Sequence, residues 1–447
     1  MSHEQNCTCF FCSSRERIGF ISTRIAGTDG VSLETVKWAS VLEKLHFKCF
    51  YFAGELDTPP AVSFLSEKAH FSHPEIRKIF RSCFDHRTRS RSLTQKIQQL
   101  KSELKDDLYA FISKFNISLL IPENAMTIPL NIPLGLALTE IIVETGMPVI
   151  AHHHDFYWER AHFLTNAAWD YLSKAFPPRL PTIHHVVINS EADNQLGLRT
   201  GISSYIVPNV MDFDVPPPPP DEYASDVRQN LGVKDDELFI LQPTRVIKRK
   251  GIEHAIELVK RLGLKAKLVI SHASGDEGYD YENRIREYSK LLNVDTIFVS
   301  ECIGDKRGVT KKGKKIYTLQ DVYPHADLVT YPSNIEGFGN AFLEAVFFSK
   351  PIVVNAYSIY SLDIKPKGFK AIELDGYVTK NAVEQTRRIL KDPLMRKNMA
   401  SHNYDVARQF YSFSILEQQL TGILNMIAPC TRHMIPSVRP NRNNHAD

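Results

Sequence analysis

The stretch Tyr331-Pro-Ser-Asn-Ile-Glu-Gly-Phe-Gly-Asn-Ala-Phe-Leu-Glu-Ala-Val-Phe-Phe-Ser-Lys-Pro351 decides the fold class of this chain. An apolar strand, residues 326–331, runs into a polar turn with two glycines, and a helix is predicted over 338–348. Glu336 lies on the turn and Glu344 in the predicted helix, with seven residues between them. Free N–H groups at a helix N-terminus attract phosphate, and carboxylates can bind sugar hydroxyls. The pattern predicts an α/β fold whose turn binds an anion and a sugar.

Length and composition predict a soluble protein of more than one domain. The chain has 447 residues, and its 43% hydrophobic and 23% charged content is typical of globular proteins. A net charge of +3 favours no class of charged partner, and no apolar run approaches the roughly 18 residues of a membrane span. The first residues lack the order of a signal peptide, and seven cysteines, an odd number, favour a reducing compartment. We therefore predict a cytoplasmic protein with no nucleic-acid partner and no stable membrane insertion.

Strand and helix patterns alternate along the first half. Strands are predicted at 18–23, 48–52, 117–121, 149–152, 185–189 and 205–207, and helices at 33–45, 92–115 and 133–145. This alternation implies a parallel sheet with both faces covered. The prolines from Pro216 to Pro220 cannot enter a sheet or a helix interior, so we predict a stiff linker over 214–222.

The second half repeats the alternation. Strands are predicted at 238–241, 267–270, 296–299, 328–331 and 352–355, and helices at 251–262, 279–292, 338–348 and 383–391. Two long helices, 393–410 and 412–426, close the fold. The ends of the chain, 1–14 and 431–447, are predicted to be a flexible and a disordered tail.

The spacing of Glu336 and Glu344, with Gly-Phe-Gly after the first Glu, resembles the retaining GT-B glycosyltransferases, in particular glycosyltransferase family 4. The resemblance covers about residues 17–426. It implies two doubly wound Rossmann-like domains that face each other across a cleft. The expected parts are an acceptor-side domain at 15–213, a nucleotide-sugar-binding domain at 223–408, and a helix at 409–430 that returns to the first domain.

Arg245 and Lys250 follow the predicted strand 238–241. In a doubly wound sheet ligands bind at the carboxyl ends of strands, and an Arg and a Lys five positions apart can both point at a diphosphate. A solvated basic turn is the alternative, because Lys248 and Arg249 lie beside them. The resemblance implies that Arg245 and Lys250 bind the nucleotide diphosphate, so that no metal is needed.

Taken alone, Glu336 is compatible with a helix-capping turn residue and Glu344 with an exposed helix residue. The resemblance implies that Glu336 contacts the donor sugar and Glu344 the ribose, while the amides of 337–340 serve the sugar and the phosphate. Donor binding is expected at Gly30, Ser333, Gly337, Phe338, Gly339, Asn340 and Glu344, and catalysis at Glu336, Arg245, Lys250 and His154.

The loop of residues 27–32 precedes the first predicted helix. Its glycines let the backbone approach a ligand, although a plain strand-to-helix turn is the alternative. In family 4 a Gly-Gly-Val loop faces the reaction centre across the cleft. Gly30 and the Val after it match its last two positions, and Asp29, which replaces the first Gly, is an acceptor-side candidate. Val210 is a further departure, because the family has Gly there after Pro-Asn.

Three consecutive histidines, His152 to His154, end the predicted strand 149–152. A triple His suggests a metal site, but adjacent residues point apart in a strand and no second ligand cluster is evident. Family 4 commonly has His-Asp here, and its His contacts the donor sugar. The aromatic residues that follow suit a sugar acceptor, with a packed aromatic cluster as the alternative. Acceptor-side candidates in this segment are Asp155, Tyr157, Trp158 and Arg160.

Three other patterns carry weaker signals. Four potential zinc ligands lie near the N-terminus, at spacings that match no usual zinc finger: His3, Cys7, Cys9 and Cys12. We interpret them as part of a reduced tail. Asp212 and Asp214 resemble an Asp-x-Asp metal motif, but they fall at the linker and are interpreted as chance. The basic stretch 77–101 is interpreted as a solvated helix face that could attract an anionic acceptor.

These observations predict a retaining, metal-independent hexosyltransferase without a cofactor. It would move glucose or mannose from a UDP- or GDP-linked donor to the hydroxyl of a small soluble acceptor. A sugar phosphorylase on the same fold and a non-catalytic sugar-nucleotide-binding subunit are the alternatives. The donor base, the acceptor and the oligomeric state stay open.

Overall fold

The computed structural model describes residues 17–274 and 278–428. The predicted tails and the cysteines at positions 7, 9 and 12 lie outside the described residues. Within these residues, no helix combines the length and the apolar character needed to cross a bilayer.

Seven parallel strands form the first sheet, in the order β3-β2-β1-β4-β5-β6-β7. They are β1 (Arg17–Ile21), β2 (Lys48–Ala53), β3 (Ser63–Leu65), β4 (Leu119–Pro122), β5 (Val149–His153), β6 (Ile183–Val187) and β7 (Ser204–Ile206). The central strands β4 and β5 are buried along their whole length. Such continuous burial is typical of parallel sheets with helices on both faces.

Helices cover both faces of this sheet, and two apolar clusters pack on either side of it. They are α1 (Gly30–Lys44), α2 (Pro74–Cys83), α3 (Arg91–Phe115), α4 (Ile132–Thr145), α5 (Ala161–Leu164), α6 (Trp169–Ala175) and α7 (Ser190–Thr200). Asn116 and Gly146 end α3 and α4 in the left-handed conformation that stops a helix.

Six parallel strands form the second sheet, in the order β10-β9-β8-β13-β14-β15. They are β8 (Leu238–Gln242), β9 (Ala266–Ile270), β10 (Thr296–Phe298), β13 (Leu328–Tyr331), β14 (Ile352–Asn355) and β15 (Ile372–Leu374), while β11 (Gly308–Val309) and β12 (Lys315–Ile316) form a separate antiparallel hairpin. The helices are α8 (Val227–Asn230), α9 (Ile252–Leu262), α10 (Asp280–Leu291), α11 (Leu319–Val322), α12 (Asn340–Phe347), α13 (Lys380–Lys391), α14 (Pro393–Tyr411) and α15 (Phe413–Ile427).

Helix α15 follows the second sheet in sequence but packs against the first. Its buried residues Leu416, Leu420 and Leu424 belong to the same apolar cluster as Trp38 of α1. Asp214, one of the two acidic linker residues, holds the start of α15 by accepting hydrogen bonds from the backbone N–H and the hydroxyl of Ser414, at 2.9 and 3.0 Å. These contacts give Asp214 a structural role at the start of this helix.

Some predicted boundaries were wrong. The strand predicted at 185–189 ends at Val187, because the side chain of Asn189 caps α7. The helix predicted from residue 338 begins at Asn340, so Glu344 lies in its second turn. The basic stretch 77–101 is divided between α2 and α3. Helix α2 was anticipated only as part of the basic helix face at 77–101. Elements missed entirely are short or polar: β3, β15, the β11–β12 hairpin, α5, α6, α7, α8 and α11.

Candidate active site

The carboxyl ends of the two sheets face each other across a cleft. Asn189, just after β6, donates to the carbonyl of Gly337, just after β13, at 2.6 Å. Thr28, after β1, donates to Asp305, after β10, at 2.9 Å. A Cβ built on Gly30 would lie 3.8 Å from the Asn340 Nδ2 atom. Ligands bind at this edge in doubly wound folds, so the cleft is the candidate site.

The turn between β13 and α12 is fixed by packing on both sides. Phe338 is buried and meets the Tyr411 ring edge-on at 5.4 Å, so its side chain is a core anchor. The Tyr357 hydroxyl donates to the Phe338 carbonyl at 2.9 Å. Gly339 has φ +128°, and a Cβ there would lie 2.3 Å from that hydroxyl. The backbone therefore requires glycine at this position. It presents the first N–H groups of α12 at a fixed place.

Glu336 is held at this turn by two cations. Its carboxylate pairs with Lys250 and, at 3.0 Å, with Arg249, while only 9% of the side chain is exposed. Burial alone would raise the pKa of Glu336, but Lys250 and Arg249 outweigh it and lower the pKa. Ser333 is buried beside the same carboxylate. The result is a fixed anion at the mouth of the cleft.

Lys250 and Arg245 differ in their surroundings. Lys250 is buried, and burial lowers its pKa while Glu336 opposes that shift. Arg245 is exposed and, within the described residues, its side chain makes no hydrogen bond or ion pair. Arg245 and Lys250 both lower the pKa of His272, which follows β9, although burial is the largest cause. These three groups therefore share one electropositive region at the carboxyl ends of β8 and β9.

Glu344 faces the cleft from the second turn of α12. The hydroxyl of Tyr323 donates to its Oε2 atom at 2.8 Å, which orients the carboxylate. Burial raises the pKa of Glu344, and Tyr323, Lys37 and Lys250 oppose that shift. Lys37 belongs to α1 and Lys250 to the second half of the chain. Glu344 therefore lies between cations from both sides of the cleft.

The loop before α1 is built around Asp29. Its Oδ1 atom accepts from the N–H groups of Val31 and Ser32 at 3.1 and 3.2 Å, and its Oδ2 atom accepts from Arg24 and the Ser32 hydroxyl. Asp29 is thus the N-cap of α1. These four bonds hold Gly30 against Asn340 and leave little of the Asp29 carboxylate for an acceptor.

His154 reaches the cleft from the end of β5. Its carbonyl oxygen lies 3.5 Å from where a Cβ of Gly337 would be. Its Nε2 atom is hydrogen-bonded to Oε2 of Glu123, a buried residue just after β4, at 2.9 Å. Burial lowers the pKa of His154, but Glu123 reverses this and the net shift is upward. Burial would raise the pKa of Glu123, and His152 and His154 turn that shift downward.

The other two histidines point to different neighbours. His153 is hydrogen-bonded to His185 at 2.8 Å, and burial lowers its pKa well below the usual value. His152 lies with Nδ1 2.9 Å from the same Glu123 oxygen that binds His154. Among the described residues, Glu123, His152 and His154 are the one group of His, Cys, Asp and Glu side chains close enough to share a metal ion.

The predicted acceptor-side aromatic residues pack largely on each other. Trp158 stacks on Phe156 with ring centroids 4.5 Å apart, and Tyr157 meets Trp158 edge-on at 5.0 Å. Asp155 accepts from Asn124 at 2.7 Å and pairs with Arg160. These aromatic rings therefore serve mainly to pack this segment. Only the partly exposed edges of Tyr157 and Trp158 are left to contact a ligand.

The structure brings predicted site residues from both halves of the chain to the cleft, among them Gly30 and His154 from the first half and Gly337, Asn340 and Glu344 from the second. The Phe338 side chain packs in the core instead, the Asp29 carboxylate caps a helix, and Tyr157 and Trp158 pack on each other. The sequence analysis missed four residues that orient the others, Arg249, Tyr323, Glu123 and Asn124. It also missed His272, which shares the electropositive region of Arg245 and Lys250. Glu123, Asn124 and His272 could have been found, because they directly follow predicted strands, where ligands bind in this class of fold.

Comparison with known proteins agrees with this geometry. The sequence pattern of the family described as glycosyl transferases group 1 matches residues 224–406. The chain is 31% identical over 438 residues to the mannosylglucosylglycerate synthase of Thermotoga maritima, an alignment that covers 91% of this chain and 99% of that protein. It is also 31% identical to the enzyme of the same name from Petrotoga mobilis, with 80% and 86% covered.

Solved structures give the same fold. A glycosyltransferase from Rickettsia africae superposes with a TM-score of 0.64 at 12% identity, covering 93% of this chain and 99% of that one. Sucrose-phosphate synthase from Thermosynechococcus elongatus superposes with a TM-score of 0.62 at 15% identity, covering 92% and 99%. At such identities the likeness concerns the fold, which is GT-B. The family pattern and the relatives at 31% identity show that the chain belongs to the glycosyl transferases group 1 family and is a glycosyltransferase.

Proposed function

We propose that this protein is a retaining, metal-independent hexosyltransferase whose donor is a UDP- or GDP-linked glucose or mannose. The acceptor is a hydroxyl group of a small soluble molecule. One observation carries the proposal: Gly30 and His154 of the first half lie opposite Asn340 and Gly337 of the second, so close that a Cβ added at Gly30 would lie 3.8 Å from Asn340 and one added at Gly337 would lie 3.5 Å from the His154 carbonyl. A donor sugar bound at the start of α12 would therefore lie against the first domain, where an acceptor can approach it.

The names of the relatives narrow the substrates. Two relatives at 31% identity are mannosylglucosylglycerate synthases. We take mannose as the transferred hexose and a glycoside of glycerate as the acceptor. The cysteine content of the chain favours the cytoplasm as the place of action.

The proposed reaction uses the leaving group as the base. The acceptor oxygen attacks the anomeric carbon on the face from which the diphosphate departs, and a diphosphate oxygen takes the acceptor's proton. Arg245 and Lys250 stabilise the charge that develops on the diphosphate, an electrostatic contribution that needs no reorganisation of the site. The first amides of α12 add to this field. No residue acts as a covalent nucleophile.

The remaining residues position the substrates. Glu336, fixed by Lys250 and Arg249, would bind hydroxyls of the donor sugar, and Glu344, oriented by Tyr323, would bind the ribose. The His154 ring would contact the donor sugar. Acceptor-side candidates remain Asp155, Tyr157, Trp158 and Arg160.

A direct assay tests the proposal. The protein is incubated with each of four donors, GDP-mannose, UDP-mannose, GDP-glucose and UDP-glucose. Glucosylglycerate is the acceptor, and products are detected by mass spectrometry. Proton NMR of the initial product then gives the anomeric configuration. An inverted product would contradict the retaining mechanism, and the absence of any glycosylated product would contradict the function.

The two alternative functions give different results in the same assay. A phosphorylase would cleave the glycosidic product with inorganic phosphate and would not need a nucleotide. A non-catalytic binding subunit would show a raised melting temperature with nucleoside diphosphates, by mass action, but no product. Glu344 favours the transferase, because a phosphorylase has no ribose to bind.

Metal independence is a separate prediction. The proposed mechanism assigns Arg245 and Lys250 to the diphosphate, where they would supply the charge stabilisation a metal would give, so an excess of EDTA should leave the reaction rate unchanged within about twofold. The measurement is initial velocity with and without chelator. Loss of activity that magnesium or manganese restores would show that the cations are insufficient.

A further inference from the structure

Glu123 is a buried carboxylate that lies against two histidine rings. It is inaccessible to solvent, its Oε2 atom accepts from His154 Nε2 and lies 2.9 Å from His152 Nδ1, and its Oε1 atom has no hydrogen-bond partner among the described residues. A buried ion pair is weak evidence for stability, because the desolvation of the charges offsets their attraction. Such a group is poorly explained as a stabilising element of the core, which favours a role in the neighbouring site.

The main chain of His154 is held independently of Glu123. Asn124, in the left-handed conformation with φ 57°, accepts from the N–H of His154 at 3.0 Å and donates to Asp155 at 2.7 Å. Two successive residues after β4 therefore hold different parts of His154. Asn124 fixes the backbone of His154, and Glu123 fixes its ring.

The hydrogen bond decides which ring nitrogen is free. Because Nε2 of His154 is bound to Glu123, Nδ1 is the only ring nitrogen left for a ligand, and the residue keeps 9% of its surface exposed. Its ring lies 4.3 Å from the His152 ring, which stacks on Trp38 of α1 at 4.1 Å. The His154 ring therefore cannot turn over without breaking the hydrogen bond to Glu123.

We infer that Glu123 is a positioning residue for the transfer reaction, which holds the His154 imidazole by Nε2 so that Nδ1 meets the donor sugar. The inference rests on the proposed function. It assigns Glu123 no contact with substrate: the carboxylate acts through His154, as orienting carboxylates do in other sites where a histidine must keep one tautomer and one orientation.

A metal ion is the other occupant that this cluster suggests. The ligand atoms of Glu123, His152 and His154 lie within 4.8 Å of one another. The hydrogen bond to Glu123 already occupies Nε2 of His154, whereas neither ring nitrogen of His152 makes a hydrogen bond within the described residues. Elemental analysis of the purified protein separates the two possibilities.

A double-mutant cycle tests the inference. Wild type, Glu123→Gln, His154→Gln and the double variant are compared in donor KM, kcat and calorimetric binding of the nucleoside diphosphate. Glu140→Gln is the matched control, because Glu140 pairs with Lys101 and Lys105 on the outer helices. We expect Glu123→Gln to lower kcat by about 10- to 100-fold, the usual loss on removal of an orienting partner, with diphosphate binding unchanged.

The double variant gives the sharpest result. If Glu123 acts through His154, the double variant should be no slower than His154→Gln alone. Losses that multiply, wild-type kcat in Glu123→Gln, or one equivalent of zinc per chain that this variant loses would each overturn the inference. Should Glu123→Gln fail to fold, Glu123→Asp replaces it in the cycle. If the wild type transfers no sugar, the proposed function itself fails, which is a distinguishable outcome.

Discussion

The cations near the turn before α12 show how similar residues can do different work. Lys250 is 8% exposed and pairs with Glu336, whereas Arg245 is exposed and free of hydrogen bonds within the described part of the chain. A buried ion pair is costly to break, because the partner left behind keeps its desolvation cost. Arg245 has no such partner among the described residues, so its charge is available to a ligand.

This difference gives a prediction for two alanine variants. Arg245→Ala should weaken binding of the nucleoside diphosphate by about 2–5 kcal/mol, the usual range for a lost charge partner, and leave stability unchanged. Lys250→Ala should lose turnover and also lower the unfolding temperature, because Glu336 stays buried with Arg249 alone. Calorimetric titration and thermal unfolding measure the two effects. Near-normal activity in both variants would remove the diphosphate assignment.

The two carboxylates should separate binding from turnover. Glu344→Gln should chiefly weaken binding of the free nucleoside diphosphate, because the proposed partner of Glu344 is the ribose. Glu336→Gln should chiefly lower kcat, because its proposed partner is the reacting sugar. Titration with the diphosphate alone, beside steady-state kinetics, tests both. Tyr323→Phe is a matched variant that removes only the hydrogen bond to Glu344. It should weaken binding of the diphosphate less than Glu344→Gln does. The reverse pattern for the two carboxylates would show that the donor lies in the opposite direction.

The sequence was enough to name candidate site residues, but not to predict which side chains contact them. The spacing of Glu336 and Glu344 and the position of Lys250 after a strand were readable from the sequence. The pairing of Arg249 with Glu336 joins positions 87 residues apart, and the bond of Glu123 to His154 joins positions 31 apart. Such contacts depend on how strands are ordered in the sheet. A single sequence does not encode that order in any local pattern.

At the scale of elements, the conformation of the turn from β13 to α12 depends on one glycine and on the side chain that packs against it. Gly339 has a backbone conformation that other residues rarely adopt, and the Tyr357 hydroxyl fills the space where a side chain would begin. The sequence showed the glycine but not this conformation, so the predicted helix began two residues early. Tyr357 lies beyond β14, which explains why a local pattern did not reveal it.

Gly339→Ala should therefore cost stability and activity together. The strained φ and the contact with Tyr357 should cost about 1–3 kcal/mol, and the displaced N–H groups of α12 should raise the donor KM. Gly146→Ala is the control, because Gly146 has φ +61° with open space around it and lies at the end of α4. The control should lose some stability and keep its kinetics. Unchanged donor KM in Gly339→Ala would argue against a phosphate site at this helix.

At the scale of the whole molecule, the two halves are tied together at one end by α15. The helix crosses from the second sheet to the first and buries its leucines beside α1. The chain just before the proline-rich linker is tied to α1 as well, since Glu34 accepts from the N–H of Val210 and Lys37 donates to the Val210 carbonyl. Both connections therefore end on α1, whose first residue Gly30 lines the cleft. We therefore expect α1 to act as the hinge for movement between the halves.

Leu420→Ala tests that arrangement. Leu420 is fully buried, and loss of such a side chain usually costs about 2–5 kcal/mol. The cost should appear in the first domain although the residue follows the second in sequence. Hydrogen exchange followed by mass spectrometry should show faster exchange in α1 and β1 and little change in β8 or β13. Leu394→Ala, at an exposed leucine of α14, is the control and should change neither. Faster exchange confined to the second sheet would mean that α15 belongs energetically to the second domain, and the hinge at α1 would be wrong.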